Sequence, residues 1–187
     1  NIAIYMIGPV ITTILAFFIL KEKITLTQVI IVIVGLIGAI IISKPNSNVF
    51  NYAVIFPFLA ATCFAFFTIF TKFLNTSDSN QTTLLFTAFS GSVLSLPFIF
   101  FYWETPNLYQ LALMFCLGSL ATIGHFFFIE ALKVINASFA APFVYLTVLL
   151  AAFWGYFIYD EIPDDNTILG AFLIILAGII ITRIKTK

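Results

Sequence analysis

The chain has 187 residues, of which 62% are hydrophobic and 9% charged, with a formal net charge of zero and a pI near 6.8. Soluble domains carry about 25% charged residues, and a chain this short cannot enclose so many apolar segments within polar ones, so a water-soluble globule is excluded. The balanced charge leaves no basic stripe to neutralise phosphates, which excludes a nucleic-acid partner.

A helix that crosses a bilayer needs about 20 mainly apolar residues. Polar breaks divide the chain into seven such runs, predicting an all-α polytopic membrane helical bundle with seven spans: Ile2 to Leu20, Leu26 to Ile42, Tyr52 to Leu74, Thr83 to Tyr102, Leu108 to Ile129, Ala137 to Tyr159 and Thr167 to Arg183. The runs are continuous, unlike the alternating segments of about ten residues that build a membrane β-barrel. The first opens on Asn1 rather than Met with no charged leader, so the chain is expected to be truncated. The connectors are too short to hold a domain, which places any chemistry between the helices.

In the first run Pro9, Thr12, Thr13 and Ala16 share a face of small and polar residues. Gly35 and Gly38 in the second run are expected to let helices approach closely. The third aligns Ala61, Ala65, Thr68 and Lys72, with Lys72 reaching toward the headgroups. The fourth has Thr87, Gly91 and Ser95 at i, i+4, i+8, a small-residue seam.

The fifth run places Gly118, Thr122 and His125 at i, i+4, i+7 on one face. His125 is the only histidine, and an ionisable group within a span is either a solute or proton site or a neutral ring hydrogen-bonded to another helix. Glu130 and Lys133 follow at i, i+3, an expected interfacial ion pair. In the sixth run Pro142 removes a backbone donor and frees the carbonyl one turn earlier, beside Tyr145. That combination is a candidate solute contact, or else a proline-kinked packing helix. Gly170 and Gly178 in the seventh are expected packing positions, and Glu22 and Glu161 are expected to set turns. Cys63 and Cys116 lie inside apolar runs and read as small fillers, with no spacing for a metal site and no cofactor implied.

Orientation follows from the basic residues, which are retained on the cytoplasmic side of short connectors. Alternate connectors collect Lys21, Lys23, Lys72, Lys133, Arg183, Lys185 and Lys187 on one side and only Lys44 on the other, placing the C-terminus in the cytoplasm. Shifted by 139 positions, Phe18, Ile19, Glu22, Ile40, Ile41 and Ile42 recur as Phe157, Ile158, Glu161, Ile179, Ile180 and Ile181. An odd number of spans separates the copies, so they run in opposite senses, as in the inverted repeats of many secondary carriers.

The stretch Pro9-Val10-Ile11 to Leu20-Lys21-Glu22, with Ala141-Pro142-Phe143-Val144-Tyr145, Gly155-Tyr156, Asp160-Glu161-Ile162-Pro163-Asp164, Gly170-Ala171 and Ala177-Gly178, resembles the EamA-type branch of the drug/metabolite transporter superfamily. Within it, Leu96-Pro97, Tyr102-Trp103 with Thr105-Pro106, and Leu117-Gly118-Ser119 are most similar to bacterial S-adenosylmethionine uptake carriers. The resemblance implies the last seven helices of a ten-helix carrier made of two inverted five-helix repeats. Residues 1–44 would then be the last two helices of a truncated first repeat and residues 52–185 a complete second one.

It further implies that the first and sixth runs are inner helices lining a pathway for a small polar solute, S-adenosylmethionine or an amino-acid-like molecule. The candidate solute-binding residues are then His125, Thr122, Gly118, Tyr145, Pro142, Pro9, Thr12 and Thr13. The expected setting is the bacterial cytoplasmic (inner) membrane. Lipid and solute are the partners, and a homodimer stays open. No GxxxxGK[ST] loop is present, so transport would follow a gradient or exchange rather than ATP. The sequence offers no nucleophile and base pair and no HExxH, which argues against an enzyme. A non-transporting assembly subunit or an inactive truncated carrier is the alternative.

Overall fold

The computed structural model describes residues 2–44, 52–75, 79–160 and 162–183. Regular structure among them is helical throughout: α1 (Ile2–Tyr5), α2 (Gly8–Phe18), α3 (Leu26–Ser43), a 3-10 turn (Tyr52–Val54) leading into α4 (Ile55–Leu74), α5 (Asn80–Tyr102), α6 (Leu108–Val134), α7 (Ala137–Ala140), a 3-10 segment (Ala141–Tyr145), α8 (Leu146–Tyr159) and α9 (Asp165–Arg183). Glu161, Lys185 and Lys187 lie outside the described residues.

Among the described residues, six helical stretches are long and apolar enough to cross a membrane: Leu26–Ser43, Ile55–Leu74, Asn80–Tyr102, Leu108–Val134, Ala137–Tyr159 and Asp165–Arg183. The expectation of seven spans, and the seven-of-ten correspondence drawn from it, does not hold. The run from Ile2 to Leu20 divides into the four residues of α1 and the 11 residues of α2. Pro9 causes the division, because it has no N–H for the Tyr5 carbonyl and its ring crowds that carbonyl. The backbone tightens instead, with Ile7 N–H donating to the Ile4 carbonyl at 3.1 Å and Val10 N–H to the Ile7 carbonyl at 3.0 Å. Lys21, at φ 53°, turns the chain away after α2. What remains of α2 is about 17 Å long, against about 30 Å of hydrocarbon.

The long helices begin at polar caps that satisfy their first N–H groups. Thr25 and Gln28 form a reciprocal capping box at α3, with Thr25 N–H donating to Gln28 Oε1 at 2.8 Å and Gln28 N–H to Thr25 Oγ1 at 3.3 Å. Asn107 and Gln110 exchange the same pair of bonds at α6, both at 2.9 Å.

The chain divides into two compact units, Asn1–Phe70 with Ile135–Lys187, and Thr71–Val134. In the first unit α3 and α9 pack along their length. Ile31 clusters with Ala177 and Ile181 near one end, while Gly38 meets Gly170 and Ile42 reaches Gly170 toward the other. Residue number rises along one helix as it falls along the other, so the two are antiparallel. Between apolar helices in lipid, close packing of small residues supplies the attraction that water would otherwise provide.

In the second unit polar contacts gather where α4, α5 and α6 end or begin. Lys72 Nζ donates to the Leu132 carbonyl at 2.7 Å, and Asn75 Nδ2 to the Ile129 carbonyl at 3.1 Å. Lys72 takes up a carbonyl in the last turn of α6, where the helix dipole favours a cation, and Asn75 adds a bond to a carbonyl one turn earlier. Asn80 donates to the Glu130 carboxylate, and Lys133 pairs with Glu130 at 3.2 Å, the ion pair expected from their spacing.

Candidate functional site

The first unit holds Pro9, Thr12, Thr13, Pro142 and Tyr145. Gly8, Pro9, Thr12, Thr13 and Ala16 are the buried face of α2, so the small and polar stripe faces protein. Thr13 Oγ1 donates to the Pro9 carbonyl at 2.8 Å, the back-bond of a helical threonine to the carbonyl four residues earlier.

Pro142 lies in the 3-10 segment, where missing donors and i, i+3 bonding replace a regular turn. That tightening swings Tyr145 into a cluster with Met6, Ala39, Val148 and Ile174. Tyr145 is 1% exposed, and its ring lies flat where Gly35 has no side chain. A Cβ at Gly35 would clash with Cδ2 and Cε2 of the Tyr145 ring. The Tyr145 hydroxyl is buried with no hydrogen-bond partner among the described residues. A buried hydroxyl left unpaired is costly and calls for an explanation in the function or the packing.

Two members of that cluster, Met6 and Val148, also line a cavity of about 720 Å³. Its wall continues through Tyr5, Ser43, Lys44, Thr147, Pro163 and Thr167. The size suits a metabolite rather than an ion, since ligand sites span about 300–1,000 Å³. At its edge Lys44 Nζ pairs with Asp164 Oδ2 at 2.7 Å, both side chains about half exposed. Asp164 is held from its other oxygen, with Oδ1 accepting from Thr167 N–H at 3.1 Å and Thr167 Oγ1 at 2.7 Å. The Lys44 ammonium, followed by the two Thr167 donors, holds the Asp164 carboxyl down at about 2.

At the other end of α2, the half-buried Glu22 carboxylate closes onto the start of α7. Glu22 Oε1 accepts from Ala137 N–H at 2.8 Å, and Oε2 from Ser138 N–H at 3.0 Å and Ser138 Oγ at 2.5 Å. A carboxylate on exposed helix N–H groups is favoured by charge and by the helix dipole. Glu22 thus ties the turn after α2 to the start of α7, and Lys44–Asp164 ties the end of α3 to the start of α9. Each pair belongs to connectors that strict alternation puts on one side.

Gly118, Thr122 and His125 belong to the second unit and occur together on an exposed stretch of α6. Thr122 Oγ1 donates to the Gly118 carbonyl at 2.8 Å, and His125 Nδ1 lies 3.1 Å from the Ala121 carbonyl. Space around Gly118, Gly91 and Gly178 is open among the described residues, so none of these three is a close-packing position there. Cys63 and Cys116 are exposed rather than core fillers, and no group of metal-binding side chains occurs among the described residues.

Sequence reasoning missed the Lys44–Asp164 pair. The signal was present: Lys44 is the lone cation assigned to its side, and the acidic turn after Tyr159 is assigned to the same side.

Residues 51–183 match the model of the EamA-like transporter family. The chain is 37% identical over 179 residues to an S-adenosylmethionine uptake transporter of Rickettsia prowazekii, covering 96% of this chain and 61% of that protein. It is 31% identical over 193 residues to a riboflavin transporter of Vibrio cholerae, covering 100% of this chain and 63% of that protein. An uncharacterized transporter of Helicobacter pylori is 26% identical over 182 residues, covering 93% and 61%. The chain therefore spans about three-fifths of the length of the curated relatives it matches. No solved structure matches it.

Proposed function

Since this chain belongs to the EamA-like transporter family, a family of transporters and not of enzymes, we propose that it forms part of a secondary carrier for a small polar metabolite, with S-adenosylmethionine as the favoured solute. The observation that carries this reading is the family match over residues 51–183 in a multi-pass membrane protein. The S-adenosylmethionine preference rests on the four Rickettsia relatives of that name at 35–37% identity.

The mechanism is alternating access between two inverted repeats, residues 1–44 contributing to one and 52–185 forming the other. The antiparallel packing of α3 against α9 supports it, because these are the helices that the 139-residue offset matches. Under that offset the Gly38–Gly170 contact maps onto Ala177 and Ile31, and these two share one buried cluster. A two-fold relation between the copies is the simplest origin of such a pair. The setting is the bacterial cytoplasmic membrane with the C-terminus inside, supported by the distribution of lysines and by the bacterial relatives.

In this reading α2 and the segment from α7 to α8 line the pathway. Pro9, Thr12, Thr13 and Pro142 shape the inner helices, and the unused Tyr145 hydroxyl is the contact that a polar solute satisfies. His125, with Thr122 and Gly118, supplies a second polar face on α6.

Uptake of labelled solutes into cells expressing the full reading frame tests the proposal. Saturable accumulation of S-adenosylmethionine, exceeding that of riboflavin and common amino acids, is the expected result. Accumulation no greater than in vector-only cells for every solute in the panel would overturn it.

A further inference from the structure

The first unit is hollow at one end and closed at the other. The cavity lies where α3 ends and α9 begins, with Ser43, Lys44, Pro163 and Thr167 in its wall, and the half-exposed Lys44 marks its mouth. At the opposite end α2 packs directly on α7 and the 3-10 segment. The small residues on either side, Thr12 and Ala16 of α2 and Ala137, Ser138 and Ala140 of α7, are buried. The Glu22 carboxylate closes this seam, accepting from the Ala137 and Ser138 N–H groups and from Ser138 Oγ. We propose that the Glu22 clasp is the inner gate of the carrier: the structure is the outward-facing state, and passage of solute to the cytoplasm requires Glu22 to release Ala137 and Ser138. This rests on the carrier reading and the orientation given above, and it names the residues that hold one state of the transport cycle.

Glu22 is seated before it reaches across. Lys21 takes the left-handed conformation at φ 53°, and Glu22 N–H then donates to the Ala16 carbonyl at 3.2 Å, which ends α2 and sets where the Glu22 side chain departs. Three donors converge on its two oxygens, and no cation pairs with it among the described residues. Hydrogen bonds to a carboxylate are strong in a dry seam, yet each is exchanged for a bond to water once the seam is wetted, so release costs little beyond the net value of the bonds. A contact of this kind holds one state without making it permanent. The seam behind it is built of small side chains, which let the backbones meet closely and leave nothing interlocked to withdraw.

Both sides of the seam carry a break between the clasp and the cavity. On one side the helix is interrupted at Ile7, between Met6 in the cavity wall and Thr12 in the seam. On the other, the 3-10 segment Ala141–Tyr145 separates Ser138 from Thr147 and Val148 of the cavity wall. A 3-10 stretch inside a longer helical run often marks a hinge. The four residues of α7 can swing about it and draw Ser138 off Glu22 while the α8 wall of the cavity stays in place.

The test uses the full-length protein with Cys63→Ser and Cys116→Ser, carrying one reporter at a time: Ala16→Cys in the seam or Ala151→Cys in the cavity wall. A membrane-impermeant maleimide is applied to intact cells for the outer side and to inside-out vesicles for the inner side. With Glu22 present, Ala151→Cys is expected to label from outside and Ala16→Cys to be protected from both sides. Glu22→Ala is expected to speed labelling of Ala16→Cys from the cytoplasmic side at least ~10-fold and to slow labelling of Ala151→Cys from outside. Ser138→Ala, which removes one donor and keeps both N–H groups, is expected to shift both rates in the same directions by less, and decides the matter if Glu22→Ala does not fold. Unchanged rates, or a cavity position that labels only from the cytoplasmic side, would overturn the proposal. So would a rise in both rates together, since cutting a purely structural tie loosens the whole unit. Failure of solute accumulation in cells, with the opposed changes in labelling intact, would count against the carrier reading alone, because the reporters respond to the gate without any solute.

Discussion

Gly38 and Gly170 face each other at the crossing of α3 and α9 so closely that each occupies the space where the other would carry a side chain. A Cβ on Gly38 would lie 2.8 Å from the Gly170 carbonyl oxygen, and one on Gly170 would lie 2.6 Å from the Gly38 carbonyl oxygen. The obstructing atoms are backbone and cannot rotate away, so an alanine at either position must push the helices apart. Gly38→Ala and Gly170→Ala are each expected to destabilise the protein by about 1–3 kcal/mol. The purified variants should melt at lower temperature than the parent. Gly178→Ala, with open space around it, should melt with the parent or somewhat above it, since alanine is the better helix former, and serves as the control.

Glu22 is the second place where the two ends of the first unit depend on each other. Removing its carboxylate leaves the Ala137 and Ser138 N–H groups at the start of α7 without their acceptors. Glu22→Ala is expected to cost about 1–3 kcal/mol. Glu22→Gln, which retains an acceptor but loses the charge, should cost less. Denaturation midpoints of the two variants check the order, and equal midpoints for both and the parent would remove the capping role.

These two contacts show what the sequence discloses and what it withholds. Helix positions were legible because apolar length and polar breaks are local. The second run was expected to end at Ile42 and ends at Ser43, and the sixth occupies the expected residues Ala137 to Tyr159. The Gly35, Gly38 and Gly170 packing roles were legible for the same reason, as small residues in long apolar helices have few other uses. The break at Pro9 was not anticipated: a single proline near a helix start is tolerated, and only the three-dimensional backbone shows that α2 begins there. Glu22 was read as a turn residue, whereas its partners lie more than a hundred positions away and leave no local trace. Periodicity placed Gly118, Thr122 and His125 on one face but carried no information on what that face meets.

Tyr145→Phe separates packing from solute contact. The hydroxyl makes no hydrogen bond among the described residues, so its removal should leave the melting temperature unchanged or raise it. Solute uptake is nonetheless expected to fall by about ten-fold, the loss of one hydrogen bond of about 1.4 kcal/mol. Full uptake with unchanged stability would take Tyr145 out of the pathway.

The Lys44–Asp164 pair gives a pH signature with a definite sign. The Asp164 carboxyl is lowered to about 2 from its ordinary 3.8, chiefly by Lys44 and then by Thr167. A depressed pKa contributes stability that is fully present above the ordinary value and is lost as pH falls toward 2. The melting-temperature difference between the parent and Asp164→Asn should therefore be constant from about pH 5 to 8 and shrink below about pH 4. A difference that changes between pH 5 and 8 would point to another titrating group.

The account as a whole stands on α3 and α9 crossing the bilayer in opposite senses, so that one ends where the other begins. Single cysteines at Lys44, Asp164 and Lys23, introduced after Cys63→Ser and Cys116→Ser in the full-length protein, can be probed in intact cells with a membrane-impermeant maleimide. The end of α3 at position 44 and the start of α9 at position 164 should both label from outside, while position 23, ahead of α3, should label only after the membrane is permeabilised. Labelling of positions 44 and 164 from opposite sides would contradict the inverted arrangement.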